Sequence, residues 1–184
     1  MKLTILFPIL FLTCFSTAHV SFAAKALRQS QTAGTAKRTS GIRSVDFRNF
    51  TYDEGAEHLV LREGREERAG AEGSRLLNVK YIDFNADGKE EALVTLATGT
   101  RGAQGYGEEY FVFAFDAGSP RQLFRESRQK PQSMSVNGRS IIIVAPFWKN
   151  ADPGCCPSSI ETAVYRWRGH GFVRASRQMR PIRR

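Results

Sequence analysis

Short apolar segments, some alternating with polar positions at a period of two and some unbroken, are separated by turn residues along this chain. After the first two dozen residues, no segment carries a convincing 3.6-residue period. His58 to Arg62 reads as a strand, and Leu77, Val79 and Tyr81 alternate with Asn78 and Lys80 as in a strand with one buried face. Ala92 to Ala97 is apolar on both faces, and Tyr110 to Phe115, YFVFAF, is apolar throughout. Both runs predict strands enclosed on two sides. Met134 to Val136, Asn137-Gly138 and Ser140 to Pro146 predict a hairpin closed by a type I′ turn at Asn-Gly, with Ile141 to Ala145 in the core. Ile160 to Trp167 sets Ala163, Tyr165 and Trp167 on one face and Val164 and Arg166 on the other.

The remaining pieces are weaker. Val45, Phe47, Phe50 and Tyr52 suggest an extended segment laid on the core, and Glu63 to Gly73 a charged loop or hairpin. Gly118-Ser119-Pro120 predicts a turn before a short strand at Gln122 to Arg125, and Gly169-His170-Gly171 a turn that contains His170. The pattern as a whole predicts an all-β fold: a single domain of antiparallel hairpins, as a sandwich or an open meander.

The N-terminus has a different character. Lys2 precedes an apolar run from Leu3 to Phe15, and small residues follow at Ser21-Phe22-Ala23 and Ala24-Lys25-Ala26. Residues 1–23 have the shape of a secretory signal peptide. The run is short for a membrane span of about 20 residues, and Pro8 interrupts it, so cleavage is favoured over anchoring. A secreted or periplasmic location is the expectation.

Charge sharpens the domain limits. The formal net charge is +9. Ala24 to Arg43 holds five basic residues and no acid, Tyr165 to Arg184 seven and no acid, and Ser44 to Val164 fourteen basic and all eighteen acidic residues. Residues 24–43, poor in large apolar side chains, read as a flexible basic linker. Residues 44–174 read as the β-rich globular domain and 175–184 as a basic tail. The basic ends suit an anionic envelope polymer or surface. No aromatic residue interleaves with the tail arginines, so specific nucleic-acid recognition is not expected.

One stretch carries oxygen ligands at a chemical spacing. In Asp83-Phe84-Asn85-Ala86-Asp87-Gly88, the acidic and amide side chains stand at positions 1, 3 and 5 and glycine at 6. Alternate side chains of a tight loop can converge on calcium, with the Lys89 carbonyl and Glu91 as further ligands. Val94 stands where an EF-hand needs its bidentate glutamate, and strands flank the loop, so an EF-hand is excluded. The competing reading is a hairpin turn in which Asp and Asn bond their own backbone. The pattern resembles the calcium-type loops of FG-GAP and VCBS repeats, which implies Ca2+ as a cofactor.

Two further loops are candidates. Thr98 to Gly107, with four glycines, matches no phosphate-binding fingerprint. It reads either as a mobile loop or as a ligand loop presenting Arg101, Gln104 and Tyr106. Asp152-Pro153-Gly154-Cys155-Cys156-Pro157-Ser158 holds the two cysteines that remain beyond the signal segment. Cys155 and Cys156 admit a vicinal disulfide, two free thiols, or intermolecular bridging or metal binding.

Taken together, the DPGCCPS loop, the later Tyr165-Arg166-Trp167 and the earlier Asp-Phe-Asn-x-Asp-Gly-x-x-Glu-Ala turn resemble the LppP/LprE group of bacterial exported lipoproteins and related uncharacterised secreted proteins. That resemblance implies an envelope location and no particular activity. Phe11-Leu12-Thr13 before Cys14 departs from a lipobox. No nucleophile, base and orienting group stand out, and the motifs of serine hydrolases and zincins are missing. The expectation is a non-enzymatic, envelope-associated β-domain with a binding or structural role, calcium-stabilised if the acidic turn takes metal. The alternative is a thiol/disulfide-active exported protein using Cys155 and Cys156.

Overall fold

The described residues form eleven strands, the central ones rich in β-branched and aromatic residues. The computed structural model describes residues 41–55, 58–66, 73–99 and 106–183, all within one compact unit, residues 37–184. Strands β1 (Thr51–Asp53), β2 (His58–Arg62), β3 (Arg65–Glu66), β4 (Arg75–Ile82), β5 (Glu91–Thr98), β6 (Gly107–Asp116) and β7 (Ser119–Gln129) pair in sequence order into one antiparallel sheet. Strands β8 (Ser133–Asn137), β9 (Ser140–Phe147), β10 (Ser159–Arg168) and β11 (Gly171–Pro181) form a second antiparallel sheet in the order β11-β10-β9-β8. The all-β class read from the alternation is what the chain forms. Among the described residues the one helical piece is a 3-10 turn at Ile42–Ser44, and no helix is long and apolar enough to cross a membrane.

Strands β5 and β6 are buried on both faces because their sequences are apolar at consecutive positions. Ala92, Val94, Leu96, Phe111 and Phe113 point one way and pack with Ile42, Phe47, Tyr52, Leu59 and Leu61. Leu93, Tyr110 and Val112 point the other way, onto Phe124 of β7 and Ile141, Ile143, Ala163, Tyr165 and Trp167 of the second sheet. Fully burying one such large side chain contributes about 1.5–3 kcal/mol. Aromatic edges lock both layers: Tyr52 meets Phe111 at 5.1 Å, and Phe124 meets Tyr165 at 5.0 Å.

Several local readings change in the fold. A β-bulge between Leu76 and Asn78 shifts the phase of β4. Leu76 therefore packs on the core while Leu77 is 43% exposed, the reverse of the simple alternation. The β6–β7 turn is Ala117-Gly118, both at positive φ as a type I′ turn demands, and β7 runs for eleven residues rather than four. The β8–β9 hairpin turns at Gly138-Arg139 with only Gly138 at positive φ, so the turn is not type I′ and Asn137 ends strand β8.

Both domain limits also move. Ile42 is 4% exposed in the first core, and Arg43 bonds Glu90 at 2.8 Å, so the folded region starts before residue 44. Residues 1–40, with the signal segment and most of the linker, lie outside the described residues. At the other end, the expected basic tail is largely the second half of β11, paired with β10 through Pro181. Alternating arginine and small residues gave it no hydrophobic signature, but backbone pairing with β10 does not need one.

Candidate functional site

The acidic turn joins β4 to β5 and closes on itself. The Asp83 carboxylate accepts the N–H groups of Asp87 at 3.2 Å and Gly88 at 3.0 Å. Asn85 Oδ1 accepts the Asp87 N–H at 2.8 Å, and Asp87 Oδ1 accepts the Lys89 N–H at 2.8 Å. Ala86 and Gly88 take the positive φ values of the bend. Phe84 points inward, fully buried, and meets Phe172 edge-on at 4.9 Å. Glu91 opens β5 at 2% exposure and accepts the Phe84 N–H at 2.8 Å. Burial raises the Glu91 carboxyl above its ordinary range, and the Asp87 and Asp83 charges add to the effect.

The Asn85 side chain stands between two of the carboxylates a calcium ion would need. The Asn85 amide donates to Asp87 Oδ2 at 3.0 Å and to Glu91 Oε1 at 3.2 Å. A cation bridging those carboxylates requires an oxygen where Asn85 presents its N–H2. Asp83, Asn85, Asp87 and Glu91 thus form a hydrogen-bonded Asx turn, followed by Lys89. Among the described residues no group of three or more His, Cys, Asp or Glu is placed to hold a metal.

The turn does line a cleft of about 700 Å3. Asn85, Asp87 and Glu91 face Arg121 of the β6–β7 hairpin and His170 of the β10–β11 turn, over a floor that includes Trp167. The fold thereby joins the acidic turn to a histidine that sequence spacing leaves 79 residues or more away. His170 is the expected turn residue, with its N–H on the Arg168 carbonyl at 2.7 Å.

The other candidates lie elsewhere. Arg101 and Gln104 fall outside the described residues. Tyr106 is 57% exposed and lines a separate cleft of about 620 Å3 with Glu66, Arg75 and Glu108. Cys155 and Cys156 are disulfide-bonded to each other and both exposed. Their loop is braced by Asp152, whose Oδ2 accepts the Lys149 N–H, the Ser158 N–H and the Ser158 hydroxyl at 2.8–2.9 Å. These donors, the Lys149 N–H foremost, hold the Asp152 carboxyl below its usual range. Trp148 Nε1 donates to the Gly154 carbonyl at 3.1 Å.

Two charged assemblies were missed in the sequence. Arg128 of β7 pairs with Glu126, donates to the Tyr165 hydroxyl at 2.8 Å and lies 3.9 Å from Glu161 of β10. Arg177 of β11 bonds the same Glu161 at 2.9 Å and stacks on Phe147. Burial pushes the Tyr165 hydroxyl up to about 12, and its hydrogen bond with Glu126 adds to the rise. The second assembly centres on Arg125, which bonds the Glu54 carbonyl at 2.7 Å and Glu109 at 3.2 Å. The Glu54 carboxyl lies beside that of Glu109, and burial, then the Glu109 charge, raise it to about 7. The available signal was acids inside apolar strand runs, Glu109 before YFVFAF and Glu161 within SIETAVYRW.

Two outcomes follow for these groups. Asp83→Ala removes two acceptor bonds from the turn, and each charge-assisted bond contributes about 1.5–3 kcal/mol at most. Its stability loss is expected to be equal in EDTA and in excess calcium, as read by thermal melts. A loss seen only in calcium identifies a metal site instead. For Glu54, the folded pKa of about 7 exceeds the ordinary 4.5. The contribution is therefore complete below about pH 4.5 and is lost as pH rises through about 7. Glu54→Gln should flatten the stability–pH slope across that window in urea titrations, and an unchanged slope would contradict the carboxyl pair.

Compared with known proteins, the chain matches no protein-family model, no curated protein and no solved structure.

Proposed function

We propose that this protein is an exported, envelope-associated β-domain that works by binding rather than by catalysis. The observation that carries this reading is the disposition of charge. The acids of the acidic turn are engaged with their own backbone, and Glu109 and Glu161 with arginines between strands. Arg166 and Arg168 on β10, Arg180 on β11 and Arg183 beyond it are exposed, with no ion-pair partner among the described residues. An anionic envelope surface is the matching partner. The signal-like residues 1–23 and the resemblance of the two loops to exported lipoproteins support the location.

Fractionation of the producing cells tests this reading. The protein is expected on envelope fractions at low salt and in the wash at about 1 M salt, where the screening length falls to about 3 Å. A protein that is wholly soluble and unbound at low salt overturns it.

A second reading has its own observation, the exposed Cys155–Cys156 disulfide. A thiolate of a partner protein dithiol would attack one sulfur, forming a mixed disulfide and releasing the other cysteine as thiolate. The partner's second thiol would then displace this chain, leaving two thiols here and a disulfide on the partner. In the reduced protein this role needs a thiol titrating well below the ordinary value of about 8.5. Alkylation rates against pH, with Cys155→Ser and Cys156→Ser to assign the sulfur, are expected to show it. An ordinary value for both thiols removes the reading.

A further inference from the structure

The outer face of the four-stranded sheet presents an amphiphilic surface, and its faces are set by the pairing. Ile141, Ile143, Ala163, Tyr165 and Trp167 enter the core, so the intervening residues of β9 and β10 face outward. Ile142 lies opposite Val164 and Val144 opposite Thr162, all half-buried, while Ile160, opposite Pro146, is buried at 7% exposure. On β11, Val173 is 48% exposed beside Arg166. Ile142, Val144, Val164 and Val173 form the middle of the face. Arg166 and Arg168 stand toward one end and Arg180, paired with Ile160, toward the other. The flanking positions on β8 and β11 are serine, asparagine or glutamine, and no aspartate or glutamate points outward from any of the four strands. The glutamate of this sheet, Glu161, faces inward to Arg177 and Arg128.

We propose that this face docks on an anionic lipid surface, with Ile142, Val144, Val164 and Val173 against the headgroup and acyl boundary and Arg166, Arg168 and Arg180 on lipid phosphates. This rests on the envelope-binding reading and assigns it a face and a partner. Charge selects the occupant. A second copy would oppose one arginine-bearing face to another. A single acidic protein would have to match arginines at both ends of the sheet. A lipid surface supplies phosphate along its whole extent, and aliphatic side chains among the arginines gain by leaving water there.

The test uses the full chain, so the apolar run Leu3 to Phe15 is common to every variant and sets the background. Co-sedimentation is measured with phosphatidylcholine vesicles, with and without phosphatidylglycerol. Binding should require phosphatidylglycerol. Each arginine changed to serine should weaken it about fivefold, and R166S/R168S/R180S together on the order of a hundredfold. Val164→Asp should also abolish it, while thermal melts of the variants stay near that of the parent chain. Equal binding to both vesicle types, or binding unmoved by the variants, overturns the proposal. So does a dimer in sedimentation equilibrium that Val164→Asp dissociates. If envelope retention persists in the triple variant, the envelope reading stands and this face falls. If the parent chain is not retained at all, both fall.

Discussion

The fold depends on the double-sided burial of β5 and β6. Consecutive residues on these strands serve different layers: Phe111 and Phe113 belong to one core, and Tyr110 and Val112 to the other. Both layers lose water only while the register of this pair holds. A slip of one residue would exchange the two sets of side chains, replacing Phe111 with Val112 on one side and the reverse on the other. The N-terminal segment, from Ile42 to Leu61, covers one face, and the four-stranded sheet covers the other. Neither covering piece has a second apolar layer of comparable size, so each depends on the central pair for its burial.

Charge complements this apolar framework without replacing it. Arg128 and Arg177 converge on Glu161 between the two sheets, and Arg125 ties the end of β1 to Glu109 on β6. Buried ion pairs add little net stability over an apolar filling, but removing one partner leaves a costly uncompensated charge. Their effect is therefore on how the sheets meet. Glu109 Oε2, Arg125 Nε and Arg128 Nε lack hydrogen-bond partners among the described residues, so these seams are not fully satisfied. With Glu161 turned inward, the outer face of the four-stranded sheet carries arginines and no acid, which connects internal packing to the binding role proposed for the surface.

The loops divide into two kinds. The acidic turn and the Asp152 loop are closed by side-chain to backbone bonds, so their conformation is encoded locally. The cleft beside the acidic turn is not local, because Arg121 and His170 reach it only through the folding of two separate hairpins. The vicinal disulfide sits on a braced loop away from that cleft, so the two sequence candidates do not form one site.

Much of the architecture was legible in the chain alone. Period-two alternation marked β10, apolar content marked β2, the Asn-Gly hairpin signal marked β9, unbroken apolar runs marked β5 and β6 as enclosed strands, and Asn85, Asp87 and Gly88 marked the turn between β4 and β5. These signals are local: side-chain direction in a strand alternates whatever the strand packs against. Tertiary structure alone decided the rest. It turned Leu77 outward at a bulge, extended β7 and β11 through polar residues, and brought together Glu54 after β1, Glu109 near the start of β6 and Arg125 in the middle of β7. Polar edge strands are held by backbone hydrogen bonds that leave no mark on side-chain pattern. Charged seams and outward arginine rows depend on which strands become neighbours, and pairing between distant segments is not written in any short stretch of sequence.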